Sequence, residues 1–237
     1  MSAIREIPKE MLNDFTLNGK IKIFNYFIDE SKVSRRIYDK NTVKELIEKS
    51  KSKDEFYYQH TDKWLYDALE KYPINEMEIA IMGSQTPTYE SICIVHGGKP
   101  TTIDYGNITS EDDRIKIMSI NEYNSVEEFF DGAFSISSFE HDGLGRYGDP
   151  INPFADIEAM KKLKKSVKKG GILFFAVPIG SDAITWNAHR IYGEIRLPLL
   201  LDGWEIIDSY GYNNDSLKKE TNGNCGIQPL FVLKNIE

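Results

Sequence analysis

A chain of 237 residues, 41% hydrophobic and 28% charged, has enough apolar content for one globular core and too much for a disordered chain. Its longest apolar run, residues 171–180, is interrupted by Pro178 and falls short of the roughly 18 to 20 residues a bilayer-spanning helix needs, so no membrane partner is expected. The 37 Asp+Glu outnumber the 29 Lys+Arg, for a net charge of -8, and the excess lies after residue 75, a balance that disfavours nonspecific binding to nucleic acid and points to a small-molecule substrate.

The first nine residues carry Arg5 and Glu6 and no apolar segment of secretory type, which predicts a cytoplasmic protein with Cys93 and Cys225 as ordinary reduced thiols. Up to about residue 75 the chain is rich in Lys, Glu and Tyr. The sets Val43, Leu46, Ile47 and Trp64, Leu65, Ala68, Leu69 fall at helical spacing, so residues 1–75 read as a helical N-terminal extension that packs as a cap, with a lid over a site, or a homodimer contact, as the rival roles. Pro73 marks the break before residues 76–237, where short apolar runs alternate with helical patterns in the manner of a parallel sheet with crossover helices.

In that second part residues 79–82 form a first strand. Thr86 and Pro87 open a helix that stops at Gly97 and Gly98, and residues 101–105 make a second strand. Ile115, Ile117 and Met118 mark a third, after which Ser125 and Glu128 read as a capping box for a short helix through Phe130. Residues 133–137 form a fourth strand. Asn152 and Pro153 start a helix with Ile157, Met160, Leu163 and Val167 on one face and Gly170 as terminator. A fifth strand at 172–177, a helix near 195–201, a sixth strand at 204–210, a polar loop at 211–226 and a last strand near 230–233 complete a Rossmann-like, doubly wound α/β fold.

In such a sheet ligands sit outside the carboxyl ends of the strands. The first strand-turn-helix ends on Gly83 and Ser84, and Asp104 follows Gly83 by 21 residues, near the spacing at which an acid reaches a ribose hydroxyl. The run 139–150, FEHDGLGRYGDP, is the most distinctive: Glu140, His141, Asp142, Arg146 and Asp149 provide a proton acceptor near neutral pH, an anion clamp or oxygen and nitrogen metal ligands, and His141 leads as base. A second cluster, Asn187, His189, Arg190, Tyr192 and Arg196, lies after the fifth strand, so His189 is positioned to converge with His141.

Residues 78–233 resemble the class I S-adenosylmethionine-dependent methyltransferases, whose mostly parallel seven-stranded sheet ends in an antiparallel strand. FDGAFSISSFEH at 130–141 resembles their aspartate-led fourth strand ending in Glu-His, and KKGGILFFAVP at 168–178 is similar to their fifth-strand entry. The blocks SSFEHDGLGRYGDPINP and NAHRIYGEIRLPLLLDGW resemble, more narrowly, an uncharacterised domain-of-unknown-function family of that superfamily. The first turn departs from the pattern in keeping a single glycine, Gly83, in MGSQT.

The resemblance implies an O-methyltransferase using S-adenosyl-L-methionine on a hydroxyl of a small polar acceptor, with a sugar or nucleotide-sugar expected. Gly83, Ser84, Asp104, Tyr105, Ser119 (or Asn121), Ser138 and Glu140 would serve the cofactor. His141 would be the base, with Asp142 orienting it and His189 as substitute. Arg146, Tyr147, Asp149, Asn187, Arg190 and Tyr192 would hold the substrate. No resident metal is expected. The residues themselves leave open a metal-assisted hydrolase or lyase built from His141, Asp142, Asp149 and His189, or a noncatalytic binding protein without a donor site.

Overall fold

The computed structural model describes residues 3–32 and 35–237. In chain order these form α1 (Leu12–Phe15), β1 (Lys22–Asn25), β2 (Arg36–Tyr38), α2 (Lys40–Lys51), α3 (His60–Lys71), β3 (Glu78–Met82), α4 (Thr88–Val95), β4 (Lys99–Asp104), β5 (Ile108–Ser110), β6 (Lys116–Ser119), α5 (Ile120–Asn124) and β7 (Phe130–Ile136). They continue with α6 (Ala155–Ser166), β8 (Val167–Ala176), β9 (Ala183–Trp186), β10 (His189–Ile191), α7 (Arg196–Leu200), β11 (Trp204–Tyr210) and β12 (Leu230–Asn235).

The expected seven-stranded sheet is present in the order β11-β12-β8-β7-β3-β4-β6. Neighbours from β6 to β8 pair in parallel, whereas β12 is antiparallel to both β8 and β11. The central strands are apolar on both faces because helices cover both. Successive residues alternate sides: Ala80, Ala133, Phe175 and Phe231 pack toward α6 and α7 with Met160, Leu163, Leu197 and Leu200. Ile79, Ile81, Phe134 and Phe174 pack toward α3 and α4 with Leu65, Leu69, Ile92 and Cys93. Strand order reverses between β3 and β7, so the chain leaves their carboxyl ends toward opposite faces and a crevice lies outside those ends.

Several local expectations are corrected. The chain before residue 76 is not purely helical: β1 pairs in parallel with β9, and β2 with β5. Helix α4 begins at Thr88, with Pro87 rather than Thr86 at its N-cap. The capping box is Ser119 with Glu122 at the start of α5, not Ser125 with Glu128. Glu128 has a φ of 43°, outside the right-handed helical region, and Phe130 already belongs to β7. Helix α6 stops at Ser166 and β8 starts at once, so Val167 and Gly170 lie in a strand. The stop is enforced from outside, by Asn235 Nδ2 donating to the carbonyls of Lys164 (2.9 Å) and Val167 (2.8 Å).

One buried charge cluster ties α6 and α7 together. Asp156 accepts from Arg196 Nη2 at 2.6 Å, Arg196 Nε at 2.9 Å and the Tyr192 hydroxyl at 2.9 Å, with Arg190 Nε 3.6 Å away. Burial pushes the carboxyl upward, but Arg190 and Arg196 outweigh it and hold it below its ordinary range. Asp156→Ala would strand two buried guanidinium groups, and should cost about 3 to 5 kcal/mol in urea denaturation. A loss below about 1 kcal/mol would show that the arginines find water instead.

Candidate active site

A cleft of about 1230 Å³ runs across the carboxyl ends of β3, β4 and β7. At its centre the tips of β3 and β7 touch. Gly83 has a φ of 62°, and a Cβ there would lie 2.5 Å from Ser138 Oγ, so only glycine allows this approach. Ser84 N donates to Asp104 Oδ2 at 3.2 Å, joining the tip of β3 to that of β4. Both tips are braced from β2: the Tyr38 hydroxyl donates to the Ser84 carbonyl at 2.8 Å, and Arg36 Nη1 lies 3.7 Å from Asp104 Oδ2. Tyr105 extends the wall as a largely exposed ring. Ser119, expected in the cofactor site, caps α5 and lines with Asn121 a smaller hollow of about 310 Å³ that shares Asp104, Tyr105 and Ile120 with the cleft.

The segment after β7 forms the opposite wall. His141 Nδ1 lies 2.6 Å from the Ala188 carbonyl, which only accepts, so Nδ1 carries the proton and Nε2 is bare in the neutral ring. The Ala188 carbonyl, rather than the expected Asp142 carboxyl, therefore fixes this imidazole. His189 has the opposite tautomer, with Nε2 donating to the Gly223 carbonyl at 3.1 Å. Burial depresses both histidines to about 4, so both are neutral at pH 7.

Glu140 does not line the cleft. It is fully buried: Oε1 accepts from the Ser137 hydroxyl and lies 3.6 Å from His141 Nε2, while Oε2 has no partner among the described residues. Burial raises its carboxyl to about 7. Asp142 does line the cleft, and burial raises it well above its ordinary range. Arg146 donates to Glu30 Oε2 at 2.7 Å and stacks on Tyr147, whose ring meets His141 edge-on at 5.9 Å. Asp149 accepts from the backbone of Gly145 (3.1 Å) and Tyr147 (3.2 Å), shaping this turn.

Three residues expected to hold substrate lie behind the wall, fully buried and away from the cleft lining, with Asn187 Nδ2 and Arg190 Nε left without a hydrogen-bond partner among the described residues. Asn187 Oδ1 accepts from Ile28 N at 2.9 Å. Arg190 is fully buried and donates to the carbonyls of Asp142 and, at 3.3 Å, Asn152. Tyr192 binds Asp156. Among the described residues no three His, Cys, Asp or Glu side chains converge as metal ligands would.

The N-terminal chain supplies cleft residues that sequence reasoning missed: Glu30, Arg36, Phe56, Tyr58 and Trp64. Buried Asp62 holds the 56–58 turn in place, with Oδ2 accepting from Phe56 N (2.9 Å) and Tyr58 N (3.1 Å) and Oδ1 from the Tyr89 hydroxyl (2.9 Å). Glu90, buried behind Ser84, accepts from Thr102 Oγ1 at 2.6 Å, and burial raises it to about 7. Gln228 and Cys225, beside β12, complete the end nearest His141 and His189.

The class of fold is shared with a solved structure, 1,6-didemethyltoxoflavin-N1-methyltransferase of Burkholderia thailandensis, with bound 1,6-didemethyltoxoflavin and S-adenosylhomocysteine. The TM-score is 0.54 at 12% identity, over 82% of this chain and 87% of that one. A SAM-dependent methyltransferase of Methanosarcina mazei is similar at a TM-score of 0.49 and 14% identity, over 72% of this chain and 98% of that one. Residues 76–225, more than half of the chain, match the family model described as Caenorhabditis protein of unknown function, DUF268, and the chain belongs to that family. No curated protein matches it in sequence.

The Glu140 environment sets a pH signature. A carboxyl raised from 4.5 to about 7 in the folded protein favours folding below 4.5, and that contribution is lost as pH rises through 7. Glu140→Gln removes the loss. Between pH 4.5 and 7 the unfolding free energy of the variant should gain on wild type by up to about 1.4 kcal/mol per pH unit. Parallel curves from urea melts at stepped pH would place the ionisation elsewhere.

Proposed function

We propose that the protein is an S-adenosylmethionine-dependent methyltransferase acting on a hydroxyl of a small polar substrate, a sugar being the expected class. The observation that carries this reading is the bare, neutral Nε2 of His141 beside a strand-tip crevice of the kind that holds nucleotide-like ligands in doubly wound sheets.

The residues at the β3, β4 and α5 end fit the cofactor. Asp104 and Tyr105 stand where a ribose would meet an acid and a ring, and Ile120, Ala155 and Ala159 line an apolar slot. Gly83 keeps the β3 tip low enough for a ligand to cross it. When bound, S-adenosylmethionine supplies an electrophilic methyl carbon on a sulfonium sulfur.

The remaining work belongs to the chain. The cleft aligns the substrate oxygen, and His141 Nε2 removes its proton as the oxygen–methyl bond forms. The imidazolium so formed keeps its Nδ1 bond to Ala188, and the ionised Glu140 carboxylate 3.6 Å from Nε2 stabilises the new charge. Turnover should therefore rise with pH along a limb near 7, set by Glu140, rather than near the ordinary histidine value.

Calorimetric titration with S-adenosylmethionine and S-adenosylhomocysteine should show binding, weakened about tenfold or more by Asp104→Ala. Absence of heat with both ligands would remove the reading. With a substrate in hand, His141→Ala should lower turnover by about 10² to 10⁴ and leave cofactor affinity unchanged, whereas equal loss of both would mark His141 as structural. In Glu140→Gln the limb near pH 7 should vanish from the turnover profile.

A further inference from the structure

The end of the cleft around His141 carries acceptor atoms that no described residue meets with a donor, beside the Tyr58 and Tyr147 hydroxyls. Ser137 donates its only proton to Glu140, so its oxygen can only accept from the Gln228 amide, whose Nε2 lies 3.4 Å away. That fixes the amide orientation and turns Oε1 away from Ser137. Gln228 lines the cleft at 8% exposure, and its Oε1 has no partner among the described residues. His189 lines the same end. Its Nε2 proton goes to the Gly223 carbonyl, so Nδ1 presents a lone pair that no described residue meets with a donor. With His141 Nε2, three acceptor atoms on residues that line this end have no donor among the described residues.

Of the three, Gln228 Oε1 is buried and unpaired, which is costly, so a ligand filling this space gains by donating to it and to the two histidine nitrogens. Two ligand chemistries donate repeatedly, a polyol and an ammonium, while a phosphate or carboxylate only accepts. The cations along the cleft are already engaged: Arg36 is paired with Asp104, Arg146 donates to Glu30, and Lys162 Nζ donates to the Val126 carbonyl at 2.6 Å. Between polyol and ammonium, the three atoms favour the polyol, because each belongs to a neutral group and the carboxylate nearest them, Glu140, lies behind His141 and does not line the cleft. Tyr58 and Tyr147, lining the same cleft, add the flat apolar surface against which a sugar ring packs.

We propose that this end of the cleft binds an uncharged vicinal diol, as presented by an unphosphorylated pyranose, with Gln228 Oε1 and His189 Nδ1 as the specificity-determining acceptors and the reacting hydroxyl directed at His141 Nε2. The last element rests on the methyltransferase reading. The diol site does not, since it needs no cofactor.

The test is saturation-transfer NMR on the full chain with a panel of methyl hexopyranosides and methyl rhamnoside, with and without S-adenosylhomocysteine. At least one glycoside should bind. Its deoxy analogue lacking either of two adjacent hydroxyls should bind at least about tenfold more weakly, a result independent of how any variant folds. Gln228→Met and His189→Phe, checked for native thermal midpoints, should each reduce glycoside binding about tenfold and leave S-adenosylhomocysteine affinity unchanged. The proposal is overturned if no glycoside binds, if every deoxy analogue binds as well as its parent, if only glucosamine binds, or if only UDP-glucose binds and does so in a salt-sensitive way. Glycoside binding without any S-adenosylhomocysteine binding would sink the methyltransferase reading and leave the diol site standing.

Discussion

The buried guanidinium of Arg190 is the contact on which the rest of the site depends. It reaches from β10 to the backbone carbonyls of Asp142 and Asn152, the two ends of a glycine-rich turn, while its charge is balanced by Asp156. A loop with glycines at 143, 145 and 148 has much backbone freedom to lose on folding. A fixed fork of donors aimed at its carbonyls offsets that cost where apolar packing could not. Gly143 shows how tight the closure is: a Cβ there would come within 2.1 Å of the Asn152 carbonyl oxygen. Once the turn is closed, His141 at its start meets the Ala188 carbonyl. One ion pair and a handful of carbonyls thus set the tautomer of the candidate base.

This also explains which parts of the site were legible in the sequence. The strands β3, β7 and β8 and their tip residues could be read because short apolar runs ending in glycine or serine carry their own signal. Gly83, Asp104, Ser138 and His141 followed from the rule that ligands sit at those tips. Arg190 and Tyr192 were read as substrate contacts because an arginine or tyrosine near a histidine looks the same in sequence whether it faces a ligand or a carbonyl. Only burial separates the two. Arg36 and Glu30 were missed for a different reason: β2 pairs with β5 some seventy residues later, and a three-residue strand has too little periodicity to announce such a partner. The misplaced capping box is instructive as well, since Ser-x-x-Glu occurs at both 119–122 and 125–128 and only backbone geometry separates them.

The electrostatics of the cleft follow from desolvation more than from pairing. Burial makes His141 and His189 neutral and raises Glu90 and Glu140 toward neutrality, so groups of opposite kind are each pushed to their uncharged form. Around His141 and His189 the cleft presents neutral ring nitrogens at neutral pH. It therefore discriminates by the direction of its hydrogen bonds, which suits an uncharged ligand better than a charged one.

The single-glycine turn after β3 is understandable on the same terms. A turn with several glycines gives the backbone freedom to curl around a ligand, and that freedom has to be fixed on binding. In this chain the turn is already fixed from three directions: the Ser84 carbonyl is held by Tyr38, its amide by Asp104, and its hydroxyl lies 2.8 Å from the Thr86 carbonyl. Gly83 is retained only where the β7 tip comes too close for any side chain. The N-terminal chain has in effect taken over, through side chains, the shaping that glycines would otherwise supply. An Arg36 beside Asp104 then links the chain's first seventy residues to the same strand tip that would meet a ribose.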